Sequence, residues 1–249
     1  MPDGQTPVSS AQLADAITGT SYAHCGVTVV GYGFMGRHYV QALRSLGVGR
    51  VHVSSRSPEP LEELAGIEGV SVRSGGFENT SEPGSEDDLA IIATPTEDLA
   101  AAARRLSELG YRRMLIEKPV SLKSTVIAEL TDCLEGREVA GKVAYNRLAY
   151  PSLVEARART HEDGGITSCT YTATELVRGD WTEIYPAEEL ARWGVANTLH
   201  VVGMAHGLIG LPSEWDGSRA GSMPWHPAGS IFVGAGQSEC GVPFSYHAD

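Results

Sequence analysis

Two clusters of residues in this sequence have types and spacing suited to chemistry. The first is Gly31-Tyr32-Gly33-Phe34-Met35-Gly36, a G-x-G-x-x-G turn between the β-branched run Val27-Thr28-Val29-Val30 and an amphipathic stretch from Arg37 to Leu46. Strand, glycine turn and helix in that order suit a dinucleotide pyrophosphate. Gly31 permits the tight turn, Gly33 lets backbone N–H groups approach the phosphates, and Gly36 lets the helix pack close on the strand. The helix N-terminus adds partial positive charge and N–H donors. The second cluster is Glu117-Lys118-Pro119, which ends the run Arg113-Met114-Leu115-Ile116. Ligands of doubly wound sheets collect at the carboxyl edge of the strands, so Lys118 stands where chemistry takes place.

Bringing these clusters together requires a parallel sheet, and the pattern between them predicts one. Strands are expected at Val51–Ser55, Val70–Arg73, Leu89–Thr94 (ending at Pro95), Arg113–Glu117 and Glu138–Tyr145. Helices are expected at Pro58–Ala65, Glu97–Leu109 and Ser121–Leu134, with residues 74–88 as a surface loop. Strands alternating with helices at this pace predict an α/β, doubly wound, dinucleotide-binding domain over 25–145.

The pattern changes after Tyr145. Ile166–Val177 reads as a long Thr-rich strand, Trp193–Ile209 as a helix, and Gly229–Gly236 and Val242–His247 as short strands. Alternating strands of this kind predict an α+β second domain over 146–249 with an open-faced antiparallel sheet. The chain ends within the last of them, so this domain is expected to be truncated, with an exposed apolar sheet face or edge. Residues 1–24 read as a polar tail carrying a short helix from Ser9 to Gly19, and no function attaches to it.

Composition narrows the partners. Net charge is −12, from 31 acidic against 19 basic residues, which argues against nucleic acid and anionic membrane surfaces. Cys25, Cys133, Cys169 and Cys240 are scattered without C-x-x-C spacing, as expected for reduced thiols in the cytoplasm. Neither a signal peptide nor a membrane-length apolar run is expected. No metal is expected either: H-E-x-x-H is absent, and His206 lies six residues beyond His200, on another helix face. The sequence has no G-x-S-x-G elbow and no G-K-[ST] phosphate loop.

An ordered set of motifs carries a resemblance. GYGFMG at 31–36, Ala93-Thr94-Pro95, EKP at 117–119, Tyr145-Asn146-Arg147 with Pro151, and Asn197-Thr198-Leu199-His200 leading to Gly210 follow one another. Across residues 25–249 the chain thereby resembles the oxidoreductase family of glucose-fructose oxidoreductase and inositol 2-dehydrogenase. The resemblance implies an NAD(P)-dependent dehydrogenase or reductase acting on CH–OH groups of a sugar or sugar derivative, free or nucleotide-linked. Lys118 would contact the substrate hydroxyl and help move its proton, which must leave when hydride leaves the same carbinol.

His200 would match the family's helix-borne histidine, and Asn197, three residues earlier, shares its helix face. Lys118, His200 and Asn197 are thus the expected catalytic residues, with Asn146 and Arg147 joining them at the substrate. Arg147, Arg178 and Arg192 would serve an anionic substrate, with Arg178 and Arg192 otherwise read as surface arginines, and His226 and His247 would pack, face solvent or line the open sheet. The cofactor would meet Gly31, Gly33, Phe34, Met35, Gly36, Ser54, Ser55, Arg56, Thr94, Pro95, Glu117 and Lys118.

Where the family commonly carries D-x-G-x-H-x-x-D, this chain has Ala196, Thr198 and Gly203 at the Asp, Gly and second Asp positions. That departure resembles a subset linked to surface-sugar biosynthesis and puts the usual Asp-assisted relay in question. It leaves open a second reading, a non-catalytic NAD(P)-binding regulatory or sensor protein. For a full-length chain the family also implies a homo-oligomer formed through the C-terminal sheet.

Cofactor choice is read after the second strand. An NAD site ordinarily carries Asp or Glu about 20 residues beyond the glycine turn, to accept the ribose hydroxyls. Here the place reads Ser54-Ser55-Arg56-Ser57, with no carboxylate until Glu59. Two hydroxyls and a guanidinium suit a 2′-phosphate, so NADP(H) is favoured over NAD(H).

Overall fold

The computed structural model describes residues 7–174, 178–196, 198–221 and 231–248. They divide into two compact units, one from Gly19 to Ala144 and one that joins the N-terminal helix α1 (Ser10–Thr18) to the chain from Tyr145 onward.

In the first unit, six strands run parallel: β1 Gly26–Val30, β2 Arg50–Ser55, β3 Val70–Ser74, β4 Leu89–Ile92, β5 Arg113–Ile116 and β6 Ala140–Val143. Their order is β3-β2-β1-β4-β5-β6. Strand order therefore reverses at β1 and β4, and a crevice forms at the carboxyl ends of such a pair. Three helices, α2 Phe34–Ser45, α3 Leu99–Glu108 and α4 Ser124–Glu135, join these strands.

Every residue of β1 is buried because both faces of the sheet are covered. Val27 and Val29 pack with Val40 and Leu43 of α2 and with Val51 and Val53. Val30 points the other way, with Ile92, Leu99, Ala102, Leu106, Met114 and Leu130. Thr28 shares that side, and its hydroxyl lies 2.7 Å from the Tyr111 hydroxyl, so neither buried polar group is left bare. The predicted helix at Pro58–Ala65 is a 3-10 turn, Glu59–Leu64, and a second such turn, Phe77–Asn79, lies inside the predicted surface loop.

The second unit carries helices α5 Pro151–Glu162, α6 Trp181–Ile184, α7 Ala187–Ala191, α8 Trp193–Ala196 and α9 Leu199–Ile209. Its strands, β7 Cys169–Ala173, β8 Pro212–Ala220, β9 Ile231–Ser238 and β10 Pro243–Ala248, are ordered β7-β10-β9-β8. Tyr171, Phe244 and Tyr246 form a stacked aromatic row on one face, packed with Ile209 of α9. Thr170, Thr172 and His247 are exposed on the other face, which is the open one.

Several expectations are revised here. The sheet is mixed, since β10 pairs antiparallel with β9 but parallel with β7. β10 is interior, so the last strand is not a bare edge; the outer strands are β7 and β8. β8 was not foreseen, because its sequence PSEWDGSRA is almost wholly exposed and lacks the apolar alternation that marks a half-buried strand. β7 is shorter than predicted, and residues 175–177 of that prediction lie outside the described residues. The helix predicted over 193–209 comprises α8 and α9, with residue 197 outside the described residues. Helix α1 of the polar tail is tied to α5: the Ser10 backbone N–H and hydroxyl both donate to Glu155 Oε2, at 3.4 and 3.2 Å.

Candidate functional site

The carboxyl ends of β1, β2, β4 and β5 are stitched to one another. Gly31 N–H donates to the Ser54 carbonyl at 2.8 Å, Ala93 N–H to Val30 at 2.7 Å, and Glu117 N–H to Ile92 at 2.9 Å. Above them opens a cleft of about 860 Å³, within the range of small-molecule and cofactor sites. Gly31, Gly33, Phe34 and Met35 line it from the β1–α2 turn, Ser54, Ser55 and Arg56 from the end of β2, Thr94 and Pro95 from the end of β4, and Glu117 and Lys118 from the end of β5. All these sequence-predicted cofactor residues share one wall system, with Gly36 in support beneath.

The three motif glycines have different reasons. Gly31 has φ +96°, and a Cβ there would strike the Ala93 carbonyl. A Cβ on Gly36 would strike the Gly31 carbonyl, so this glycine sets how closely α2 approaches β1. Gly33 is different. Its φ of −84° is ordinary, and a Cβ would meet nothing within 4 Å. Neither backbone nor packing demands glycine there, which leaves clearance on the cleft side. Gly33 also precedes α2 without a side-chain cap, leaving the first N–H groups of that helix to other acceptors. Nearby, Thr94 Oγ1 is buried without a hydrogen-bond partner. A cleared glycine and a waiting hydroxyl fit a dinucleotide in this cleft.

Other side chains show commitments that the sequence did not reveal. The Ser54 hydroxyl is fully buried and donates to the Gly76 carbonyl at 2.7 Å, tying β2 to the Gly75–Glu78 segment that also lines the cleft. Arg56 Nη2 donates to Asp98 Oδ2 at 3.0 Å. Glu117 is 8% exposed, and the Tyr39 hydroxyl from α2 donates to its Oε1 at 2.5 Å. Burial first, then the Glu117 carboxylate, push the Tyr39 phenol far above its usual range, so it remains a donor. Lys118 is partly exposed beside them, and Val120 just beyond sits at φ 69°, a conformation rare for a β-branched residue.

Tyr39, Asp98 and the Gly75-Gly76 pair were missed by sequence reasoning. The two glycines, both at positive φ, were a usable signal for a shaped loop. Tyr39 and Asp98 gave none, being 78 and 42 residues from their partners.

In the second unit, α9 carries His200, partly buried, and packs on the turn Asn146–Ala149 that holds Asn146 and Arg147. The approach is close because α9 has glycines facing it. A Cβ on Gly203 would come 3.1 Å from the Tyr145 ring, and one on Gly207 would come 2.6 Å from Leu148. Gly203 stands where the family pattern has its second Asp, and the Tyr145 ring leaves little room for one. Asn197 and His226 lie outside the described residues. Arg178 pairs with Asp180 at 3.3 Å.

His206 and Arg192 line a second cavity of about 600 Å³ with Tyr171, Tyr246 and Phe232, and burial holds the His206 imidazole below its usual range. Among the described residues, no three His, Cys, Asp or Glu side chains gather as a metal site would require. Nor is any helix among them long and apolar enough to cross a membrane.

Residues 25–145 match the model of a family described as "Oxidoreductase family, NAD-binding Rossmann fold". No curated protein matches the sequence. Among solved structures, the chain is similar to a myo-inositol dehydrogenase from Corynebacterium glutamicum (15% identity, TM-score 0.72, covering 90% of this chain and 68% of that one). It is also similar to the WlbA dehydrogenase from Bordetella pertussis in complex with NADH and UDP-GlcNAcA (16%, TM-score 0.72, 90% and 66%). A third is an oxidoreductase from Agrobacterium radiobacter in complex with NAD+, L-tartaric acid and magnesium (15%, TM-score 0.72, 92% and 66%). At these identities the likeness is one of fold, and the chain spans about two thirds of the length of these structures.

Proposed function

We propose that this chain, whose residues 25–145 match the model of an oxidoreductase family with an NAD-binding Rossmann fold, moves hydride between a nicotinamide and a hydroxyl- or keto-bearing carbon of a sugar or sugar derivative, free or nucleotide-linked. The observation that carries this reading is the presence of Lys118 in the same cleft as the glycine turn. The nicotinamide supplies the redox chemistry when bound. The chain's own residues bind, orient and handle the proton. The first N–H groups of α2, cleared by Gly33, hold the pyrophosphate. Glu117 offers a buried, fixed carboxylate to donors on the ligand. Lys118 hydrogen-bonds the reacting oxygen and takes or returns its proton. His200, Asn146, Arg147 and Asn197 orient the sugar.

NADP(H) is the favoured cofactor, read from Ser55 and Arg56 at the rim; Ser54, whose hydroxyl is spent on Gly76, would contribute by shape. The reading includes a cytoplasmic setting, and copies that associate through the open face carrying Thr170, Thr172 and His247.

Replacing Lys118 by Met tests the mechanism. Turnover in a screen of sugars and nucleotide sugars should fall at least about a hundredfold, the scale of lost general acid–base catalysis, while titrated cofactor affinity stays unchanged. A K118M protein that keeps its turnover would refute the role of Lys118. A wild-type chain that binds cofactor yet turns over no sugar would favour the sensor reading.

A further inference from the structure

Asp98 occupies the position before α3, where an aspartate ordinarily accepts hydrogen bonds from the first N–H groups of its helix. Its side chain makes no such bond. Instead its Oδ2 accepts from Arg56 Nη2, 42 residues away in sequence, at 3.0 Å. The Arg56 side chain is 72% exposed and that of Asp98 31%, and both line the cleft. The carboxyl end of β2 lacks an acidic residue in sequence, yet the fold delivers one to the same rim from beyond β4. Asp98 engages part of the guanidinium fork, whose other donors remain for a second anion. Any phosphate that reaches Arg56 also comes close to the Asp98 carboxylate, and like charges repel.

We propose that Asp98 is a specificity-determining residue of this cleft, acting on the 2′-phosphate end of the cofactor. It holds the Arg56 guanidinium at the rim, while its own charge offsets part of what a 2′-phosphate gains there. The cleft therefore takes NAD(H) as well as NADP(H), and Asp98 sets how far the balance leans. This rests on the proposed reading that Arg56 meets the 2′-phosphate.

Asp98→Asn keeps the shape and an oxygen for Arg56 but removes the charge, and no helix cap is lost. Calorimetric titration of NADPH and NADH into wild type, D98N and R56A is the test, run at low and high salt with a melting curve for each protein. D98N should bind NADPH about two- to fivefold tighter than wild type, the scale of one exposed charge interaction, with NADH affinity changed less than NADPH affinity. The gain should shrink at high salt, as screening requires. NADPH affinity unchanged or weakened in D98N overturns the inference, as does a gain indifferent to salt. R56A separates the two claims. If R56A leaves NADPH binding unchanged, the reading of Arg56 fails on its own. If R56A weakens NADPH and D98N does not strengthen it, that reading stands and Asp98 has no part in specificity.

Discussion

A buried carboxylate is costly unless hydrogen-bonded, and at Glu117 that demand is met by the phenol of Tyr39, which burial keeps protonated. The arrangement has a consequence for stability. Tyr39→Phe removes the donor without changing the volume, leaving a carboxylate oxygen buried and undersatisfied. Urea unfolding should show a loss of about 1–3 kcal/mol, the range for stranding one buried polar group. A change below about 0.5 kcal/mol, the size of a neutral surface substitution, would mean that Glu117 draws its support from elsewhere. Tyr39 lies on α2 and Glu117 ends β5, so this one bond also ties the helix of the glycine turn to the strand that presents Lys118.

The β1–α2 unit separates two uses of glycine that the motif lists identically. Gly36 is there for packing, since a Cβ would strike the Gly31 carbonyl, whereas a Cβ on Gly33 meets open space. Alanine at the two positions should therefore fail in different ways. Gly36→Ala should lower stability by about 1–3 kcal/mol or more through overpacking. Gly33→Ala should leave the melting temperature nearly unchanged while weakening dinucleotide binding by about tenfold, or about 1.4 kcal/mol. Melting curves paired with cofactor titrations read both effects. Equal loss of stability in the two variants would remove the distinction.

Gly19–Ala144 is continuous in sequence, carries its own six-stranded sheet and holds both core clusters that cover the faces of β1. A segment with its own core and its own sheet meets the conditions for folding alone. Expressed by itself, this segment should melt cooperatively and bind dinucleotide. Saturation at about a hundred times Kd should add about 2.7 kcal/mol to its stability. A fragment that melts without cooperativity, or that gains nothing from cofactor, would show that the unit depends on the rest of the chain.

The sequence by itself determined the features encoded between near neighbours. The β-branched run of β1 announced a strand. The spacing of Gly31, Gly33 and Gly36 announced the turn, and the alternation of strands and helices up to Tyr145 announced the parallel sheet. Each of these follows from steric and solvation preferences acting over a few residues. Tertiary structure alone decided the rest. β8 has no inward face to mark it, and β10 takes β7 as a parallel partner through a connection that no local signal specifies. The cleft's Tyr39–Glu117 and Arg56–Asp98 pairs join side chains 78 and 42 residues apart. Such pairs exist only once the strand order β2-β1-β4-β5 has set the carboxyl ends side by side. The burial that holds the Tyr39 phenol protonated likewise arises only when α2 closes on the sheet.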